Sequence, residues 1–152
     1  GRAQNKIQNN RSIVANPKYY VDFFGNLTPV KQDPNKLTFI KGTLTDWIPT
    51  PSTNVGRAVT TDLLQVPYGS TLAFDNQLGY SISYALVEYG SDPINAKMLD
   101  GGEQYARWLT DTSFTLKPDT KFMTIVVKKT DNSTTDFTDA ELISIANSFS
   151  LE

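Results

Sequence analysis

The sequence has 152 residues, of which 39% are hydrophobic and 20% are charged, and its formal net charge is −2. This length corresponds to one domain that is large enough to bury a hydrophobic core. The slightly acidic balance argues against a nucleic-acid partner, because phosphate-binding surfaces normally carry a basic excess. No stretch approaches the roughly 18 consecutive apolar residues of a membrane-spanning helix, so membrane insertion is not expected.

The sequence contains neither cysteine nor histidine. The absence of cysteine excludes disulfide bonds, thiolate metal sites and cysteine catalysis. The absence of histidine excludes Ser-His-Asp triads and histidine-ligated zinc. Among the common catalytic arrangements, this leaves paired carboxylates, Ser-Lys pairs and oxygen-ligated metals.

The first part of the chain is polar and then becomes aromatic. Residues 1–17 are rich in asparagine and glutamine, and we interpret them as a lead-in or linker before a single domain at residues 18–152. The aromatic run from Lys18 to Phe24 predicts a strand, as does the compact run from Leu37 to Ile40. Because prolines lack a donor for a sheet ladder, the segment from Thr43 to Gly56 predicts a surface loop. Trp47 lies on that loop, either folded back as a lid or exposed for binding.

The middle of the chain holds a long strand signal from Tyr80 to Tyr89. Alternation places Tyr84 and its neighbours at i±2 on a core face, and small residues on the opposite face, which would lie under a loop or a ligand. After a turn, residues 94–99 predict a short strand. Asp100-Gly101-Gly102 then predicts a hairpin or loop.

The last third carries the clearest signals. Ser113 to Leu116 predicts a strand, Lys117 to Thr120 a turn, and Phe122 to Lys129 a strand of apolar and β-branched residues. Thr138-Asp139-Ala140-Glu141 matches a capping box that opens one short helix, which is followed by an extended piece from Phe149 to Leu151. Many short strands separated by turns predict an all-β fold, an antiparallel β-sandwich or jelly roll with one short C-terminal helix.

The order of elements in the second half is similar to that of a known family. The turn at residues 64–71, the long strand at residues 80–89, the Trp108 segment, the strand pair at residues 113–129 and the capped helix resemble carbohydrate-binding β-sandwich (jelly-roll) modules. These modules occur in baseplate and tail proteins of phages that infect lactic acid bacteria and other Gram-positive hosts. The resemblance covers roughly residues 37–151, and neither Tyr19-Tyr20 nor the Trp47 loop belongs to its pattern.

The resemblance implies a function without catalysis, the attachment of a phage tail or baseplate protein to host cell-wall saccharides. It places the chain in the virion, acting at the bacterial surface. Its implied partners are the host saccharide and either other baseplate or tail subunits or the rest of a longer chain, with no cofactor, no nucleic acid and no membrane insertion.

Saccharides are bound by aromatic rings that stack on apolar sugar faces and by planar polar groups that hold hydroxyls. The aromatic candidates are Trp47, Tyr68, Tyr84, Tyr89, Tyr105 and Trp108, and the polar candidates are Arg57, Asp92, Asp100, Gln104 and Arg107. From these we select as binding residues Trp47, Arg57, Tyr84, Asp92, Gln104, Tyr105, Arg107 and Trp108. Alternation places Tyr105 and Arg107 on one side of the chain and Trp108, which we expect to plug the sandwich, on the other.

Three alternatives remain open. A structural module would use the same aromatic residues for contacts with other subunits. A glycoside hydrolase would need two carboxylates at a set separation, from candidates that include Asp75, Asp92, Asp100 and Glu103. Calcium would need oxygen ligands such as those of Asp75-Asn76, Ser91-Asp92 and Asp131-Asn132, although such pairs are more often turn residues. We predict no required metal.

Overall fold

The computed structural model describes residues 19–21, 27–29, 37–90, 98–103 and 107–152. Within these ranges the chain forms, in order, β1 (Tyr19–Val21), β2 (Leu27–Pro29), β3 (Phe39–Thr45), β4 (Ile48–Pro51), β5 (Arg57–Thr60), β6 (Leu64–Gln65), β7 (Thr71–Phe74), β8 (Ile82–Tyr89), β9 (Met98–Glu103), β10 (Ser113–Thr115), β11 (Phe122–Lys129), α1 (Asp139–Ser148) and β12 (Phe149–Leu151). The predicted linker at residues 1–17 lies outside the described residues.

The strands assemble into a large main sheet and a small sheet. The main sheet has the order β4-β3-β5-β11-β8-β9, with β6 also pairing with β11, and the small sheet has the order β10-β7-β12. The strands β1 and β2 pair with each other. The pairings within the two sheets are antiparallel. The predicted all-β sandwich with one short C-terminal helix is therefore confirmed.

The main core lies between the small sheet and one face of the main sheet, which we call the inner face. Its buried residues include Ile82, Tyr84 and Leu86 of β8, Met123, Ile125 and Val127 of β11, Leu72 and Phe74 of β7, and Ile145 of α1. Phe149 closes this core, with its ring centroid 4.8 Å from that of Phe74 and 5.3 Å from that of Tyr84. Each large apolar side chain buried in this way contributes about 1.5–3 kcal/mol.

The C-terminal helix begins as the capping box predicts. The Thr138 N–H donates to Glu141 Oε1 at 2.8 Å, and the Glu141 N–H donates to Thr138 Oγ1 at 3.1 Å. The hydroxyl of Tyr80 also donates to Glu141 Oε2. One carboxylate thus caps the helix and ties it to the segment before β8. Lys129 Nζ adds a contact, because it lies 5.9 Å from the Tyr80 ring centroid.

The prediction of a loop at Thr43 to Gly56 is wrong, because most of this segment forms the β3–β4 hairpin. In that hairpin Leu44 pairs with Pro49 and Gly42 pairs with Pro51. β4 is an edge strand, so the nitrogens of its prolines, which lack a hydrogen, face away from β3 and leave the ladder intact. Proline excludes a central strand, but it is tolerated at an edge.

The prediction of a hairpin or loop at Asp100-Gly101-Gly102 is also wrong, since these residues belong to β9. That strand pairs with β8 through Val87–Glu103 and Tyr89–Met98, and the register shifts between the two pairs. The glycines therefore lie in a bulged stretch of strand, a position in which glycine is common. The predicted strand at residues 94–99 lies partly outside the described residues.

The turn before β11 is held by a buried carboxylate. Glu88 on β8 is fully buried. Its Oε2 accepts hydrogen bonds from the Lys117 N–H at 2.7 Å and from the Thr120 hydroxyl at 2.6 Å. Glu88 is also the ladder partner of Met123 in β11. Its carboxylate thus ties the turn at residues 117–120 to β8, the strand with which β11 pairs.

The substitution Glu88→Ala should destabilise the protein by about 2–4 kcal/mol, because it leaves the Lys117 N–H and the Thr120 hydroxyl without their acceptor. Urea unfolding measures this change. The control is Asp119→Ala, which removes an exposed carboxylate of the same turn and should cost no more than about 0.5 kcal/mol. Equal stabilities of the two variants would show that Glu88 does not hold the turn.

The helix cap should make stability depend on pH. The hydrogen bond from the Thr138 N–H, followed by that from the Tyr80 hydroxyl, lowers the pKa of Glu141. A lowered folded-state pKa stabilises the protein above the ordinary pKa of the carboxyl, and this stability is lost as the pH falls through the folded-state value. The advantage of the wild type over Glu141→Gln in free energy of unfolding should therefore shrink on acidification. An advantage that is the same at about pH 7 and about pH 2.5 would contradict this assignment.

Candidate functional site

The face of the main sheet that points away from the small sheet, which we call the outer face, carries its own apolar cluster. Val59 of β5, Val126 of β11 and Ala85 of β8 are fully buried there. They are cross-strand neighbours, because Val126 pairs with both Val59 and Ala85. Ile40 and Leu44 of β3 and Trp108 pack against this row. The outer face therefore has an apolar floor that spans three strands.

A short bridge places Trp108 on the outer face. Leu109 pairs with Tyr84, with N···O distances of 2.7 and 2.9 Å between their backbones. Leu109 points into the main core. Successive side chains of an extended chain point to opposite faces, so Trp108 points to the outer face. Its side chain is half-buried. Trp108 thus packs on the apolar floor without being fully buried.

Two cationic side chains from neighbouring strands meet the Trp108 ring. The Arg57 guanidinium carbon lies 5.1 Å from the ring centroid, and Lys128 Nζ lies 4.6 Å from it. Arg57 and Lys128 are direct cross-strand partners in the β5–β11 ladder. Contacts of this type contribute about 0.5–1 kcal/mol at exposed sites and more where water is excluded. Two positive groups and one aromatic ring therefore form a compact surface, the Trp108 cluster.

Polar contacts orient both cations of the Trp108 cluster. Arg57 Nη1 donates to Thr43 Oγ1 at 3.3 Å, and Lys128 Nζ donates to Asn132 Oδ1 at 2.6 Å. Thr43 belongs to the β3–β4 hairpin, and Asn132 follows β11 with a left-handed φ of 62°. The hairpin and the loop after β11 thus position the charged groups from two sides.

Trp47 lies at the tip of the β3–β4 hairpin. Thr45 pairs with Ile48, and the two residues between them have left-handed backbones, with φ 50° at Asp46 and 66° at Trp47. This conformation suits the right-handed twist of a two-residue hairpin, although glycine or asparagine usually occupies it. The Trp47 side chain is 37% exposed, and Ile48 is 42% exposed. The tip therefore presents an apolar surface to solvent.

A buried tyrosine joins the hairpin tip to the sheet. The Tyr89 hydroxyl donates to the backbone oxygen of Trp47. Burial raises the pKa of Tyr89 to about 12, so this donor stays protonated at neutral pH. Gly42 permits the close approach of the hairpin, because a Cβ at this position would lie 2.4 Å from Thr50 O and 2.9 Å from Val59 Cγ1. The hairpin is therefore held against the sheet at its tip by the Tyr89 hydroxyl and at its base by the close packing at Gly42.

The structure brings together only some of the predicted binding residues. Arg57 and Trp108 are in contact, and Arg107 is exposed immediately before Trp108. Tyr84, by contrast, is fully buried in the main core. Its hydroxyl donates to Asp111 O at 2.7 Å, and burial raises its pKa to about 12. It has no ring surface to offer a saccharide, which corrects its selection as a binding residue. Asp92, Gln104 and Tyr105 lie outside the described residues.

The other aromatic candidates are placed apart from the Trp108 cluster. Tyr68 is 86% exposed at the turn between β6 and β7. β6 pairs with β11 at Phe122 and Met123, whereas the Trp108 cluster lies at Lys128. Phe122 and Lys128 are six positions apart along β11, which corresponds to about 20 Å. Tyr89 is buried like Tyr84.

Lys128 was missed as a binding candidate because the Lys128-Lys129 pair marks the end of a strand. The signal that identifies it is the alternation along β11, which places Lys128 on the same face as Val126. Lys129 points to the other side, where its Nζ lies 4.9 Å from the ring centroid of Phe137, a residue of the main core.

The oxygen-rich loops act as turns. Asn76 Oδ1 accepts from the Leu78 N–H at 2.8 Å, and Asp131 Oδ1 accepts from the Ser133 N–H at 2.9 Å, which are bonds typical of Asx turns. Within the described residues, no group of three or more acidic side chains is arranged to hold a metal ion. No helix in this part of the chain has the length and apolar character needed to cross a membrane. Ser91-Asp92 lies outside the described residues.

Comparisons with protein-family models, with curated proteins and with solved structures found no match to this chain.

The substitution Trp108→Ala should destabilise the protein by roughly 2–3 kcal/mol, somewhat less than the 3–5 kcal/mol typical of a fully buried tryptophan. The loss comes from the contacts with the apolar floor and with both cations. Chemical denaturation measures it, and Tyr68→Ala is the matched control, because that exposed ring should contribute less than about 0.5 kcal/mol. If Trp108→Ala unfolds like the wild type, Trp108 does not support the outer face.

Proposed function

We propose that this chain is a non-catalytic carbohydrate-binding module that attaches a phage tail or baseplate protein to host cell-wall saccharides. The observation that carries the binding part of the proposal is the Trp108 cluster, a half-buried tryptophan on the outer face with Arg57 and Lys128 beside its ring. The phage setting, the virion location and the bacterial cell wall come from the resemblance in element order.

The Trp108 cluster has the chemistry that saccharide recognition needs. A half-buried indole presents a rigid apolar surface, and it loses little conformational entropy when a sugar ring packs on it. The Arg57 guanidinium carries several donors in a fixed planar fork that suits hydroxyl and ring oxygens. Thr43 and the apolar floor preorganise the cluster, which lowers the entropic cost of binding.

The chain composition supports a role without catalysis. It lacks histidine and cysteine, which removes most nucleophilic and general-base machinery. The aromatic and cationic side chains of the outer face serve recognition rather than bond cleavage. A single site of this size binds weakly, so firm attachment would come from several copies acting together.

A second function is favoured by the hairpin tip alone. Trp47 and Ile48 form an exposed apolar protrusion, and such surfaces also occur in contacts between protein subunits. In that case the chain would be a structural module that packs within a larger assembly. The two functions differ in whether a polysaccharide competes for the surface.

The experiment measures binding of the fluorescently labelled chain to Gram-positive cells and to their purified wall polysaccharides. We expect saturable binding that the soluble polysaccharide displaces. Trp108→Leu keeps an apolar side chain on the floor but removes the indole, so it should weaken binding at least tenfold, about 1.4 kcal/mol. Tyr68→Ala should bind like the wild type, because Tyr68 lies in the turn after β6, near the opposite end of β11 from Lys128.

Thermal unfolding of each variant establishes that it is folded before its binding is compared. If folded Trp108→Leu binds as tightly as the wild type, the Trp108 cluster is not the site. Absence of saturable binding across a broad panel of cells would overturn the saccharide function and favour the structural module.

A further inference from the structure

The Trp108 cluster contains two positive charges, which the binding of a neutral saccharide would not require. Arg57 and Lys128 are direct cross-strand partners, and like charges in such positions repel each other. Both also lie near the same ring, within 5.1 Å of its centroid. The chain as a whole has a net charge of −2, so this positive pair does not belong to a general basic excess.

The contacts that orient Lys128 are made with neutral groups. Its Nζ donates to the amide oxygen of Asn132 at 2.6 Å and lies 4.6 Å from the Trp108 centroid. Both contacts fix the direction of the ammonium group, but neither cancels its charge. A negative group placed beside Lys128 would neutralise its charge, and it would also lie close to the cross-strand partner Arg57.

We propose, on the basis of the function proposed above, that the saccharide bound at the Trp108 cluster carries an anionic group, a carboxylate or a phosphate, which Arg57 and Lys128 hold together. The guanidinium fork binds such a group through two parallel hydrogen bonds, and the ammonium adds a compact point charge. Charge-assisted hydrogen bonds of this kind are roughly twice as strong as neutral ones. Lys128 is thereby a specificity-determining residue.

The surroundings of the cluster strengthen this preference. The floor of Val59, Val126 and Ala85 is fully buried and apolar, which lowers the local dielectric and strengthens a charged interaction beside it. The sugar ring to which the anionic group is attached packs on the exposed part of the Trp108 indole. The ligand thus offers an apolar ring face and a negative group side by side, as the cluster offers an indole beside two cations.

The test uses a purified wall polysaccharide that the chain binds, in three forms. The first form is native, the second is dephosphorylated with hydrofluoric acid, and the third has its carboxylates reduced to alcohols. Removal of the relevant anionic group should weaken binding of the wild type at least tenfold, and the form that loses affinity identifies the group. Binding of the native form should also weaken as salt is raised.

Lys128→Gln and Lys129→Gln form the matched pair of variants, because they remove the same charge from neighbouring residues on opposite faces of β11. Lys128→Gln should weaken binding of the native polysaccharide about five- to tenfold and leave binding of the neutralised form unchanged, consistent with the loss of one charge-assisted contact. Lys129→Gln should bind every form like the wild type.

The outcomes separate this inference from the function on which it depends. If the wild type binds the native and both neutralised forms equally tightly, the ligand is a neutral saccharide, and the inference fails while the proposed function stands. If Lys128→Gln and Lys129→Gln weaken binding equally, Lys128 is not specific and the inference also fails. If the chain binds none of a panel of native polysaccharides, the proposed function itself is overturned.

Discussion

The central strand β11 carries apolar side chains on both of its faces, and other parts of the chain must cover both. The rest of the structure is arranged around this requirement. β11 pairs with β5 and β8 at once, and its first six residues are buried. The small sheet and α1 cover its inner face. The outer face has no second sheet among the described residues, so the β3–β4 hairpin and Trp108 cover it instead. A cover made of a hairpin and a single indole is thinner than a sheet, and it leaves part of an aromatic ring accessible.

This requirement connects the fold to the candidate site. The side chains that cover the apolar floor come from segments distant in sequence, Leu44 from the hairpin and Trp108 from the stretch beside β8. The polar end of the same face begins at Arg57, two residues before Val59, and at its partner Lys128, two residues after Val126. The candidate site therefore lies at the boundary between the buried and the charged parts of one sheet face, and this is where we propose that a sugar acid or a sugar phosphate binds.

Much of the fold could be predicted from local sequence. The strand β11, the turn before it and the capping box of α1 follow from residue type and spacing, because their causes are local. The β3–β4 hairpin could not be predicted in this way, since proline is permitted or forbidden according to whether a strand is central or at an edge. That distinction is set by the whole sheet. The continuation of β9 through Gly101 and Gly102 was predicted as a hairpin or loop for a similar reason, because paired glycines suit a turn and a bulge equally well.

Less of the site could be predicted. Arg57 and Trp108 were each selected from residue type, but their contact joins positions that are far apart in the chain. It forms because the Leu109–Tyr84 bridge places Trp108 on the face to which Arg57 of β5 belongs. Tyr84 was selected for its ring, although the alternation along the strand already placed it on the core face, and it is buried there with Ile82 and Leu86. Lys128 was passed over because a lysine at a strand end is usually a solvated terminus, and its importance depends on the ring beside it.

The most direct test of the account uses the fact that the chain has only two tryptophans. Each gives one indole N–H resonance, so an NMR titration with a bound wall polysaccharide reports on Trp47 and Trp108 separately. We expect a saturable shift of the Trp108 resonance, together with shifts at the side chains of Arg57 and Lys128. A polysaccharide that binds while the resonances of Trp108, Arg57 and Lys128 stay in place would contradict it.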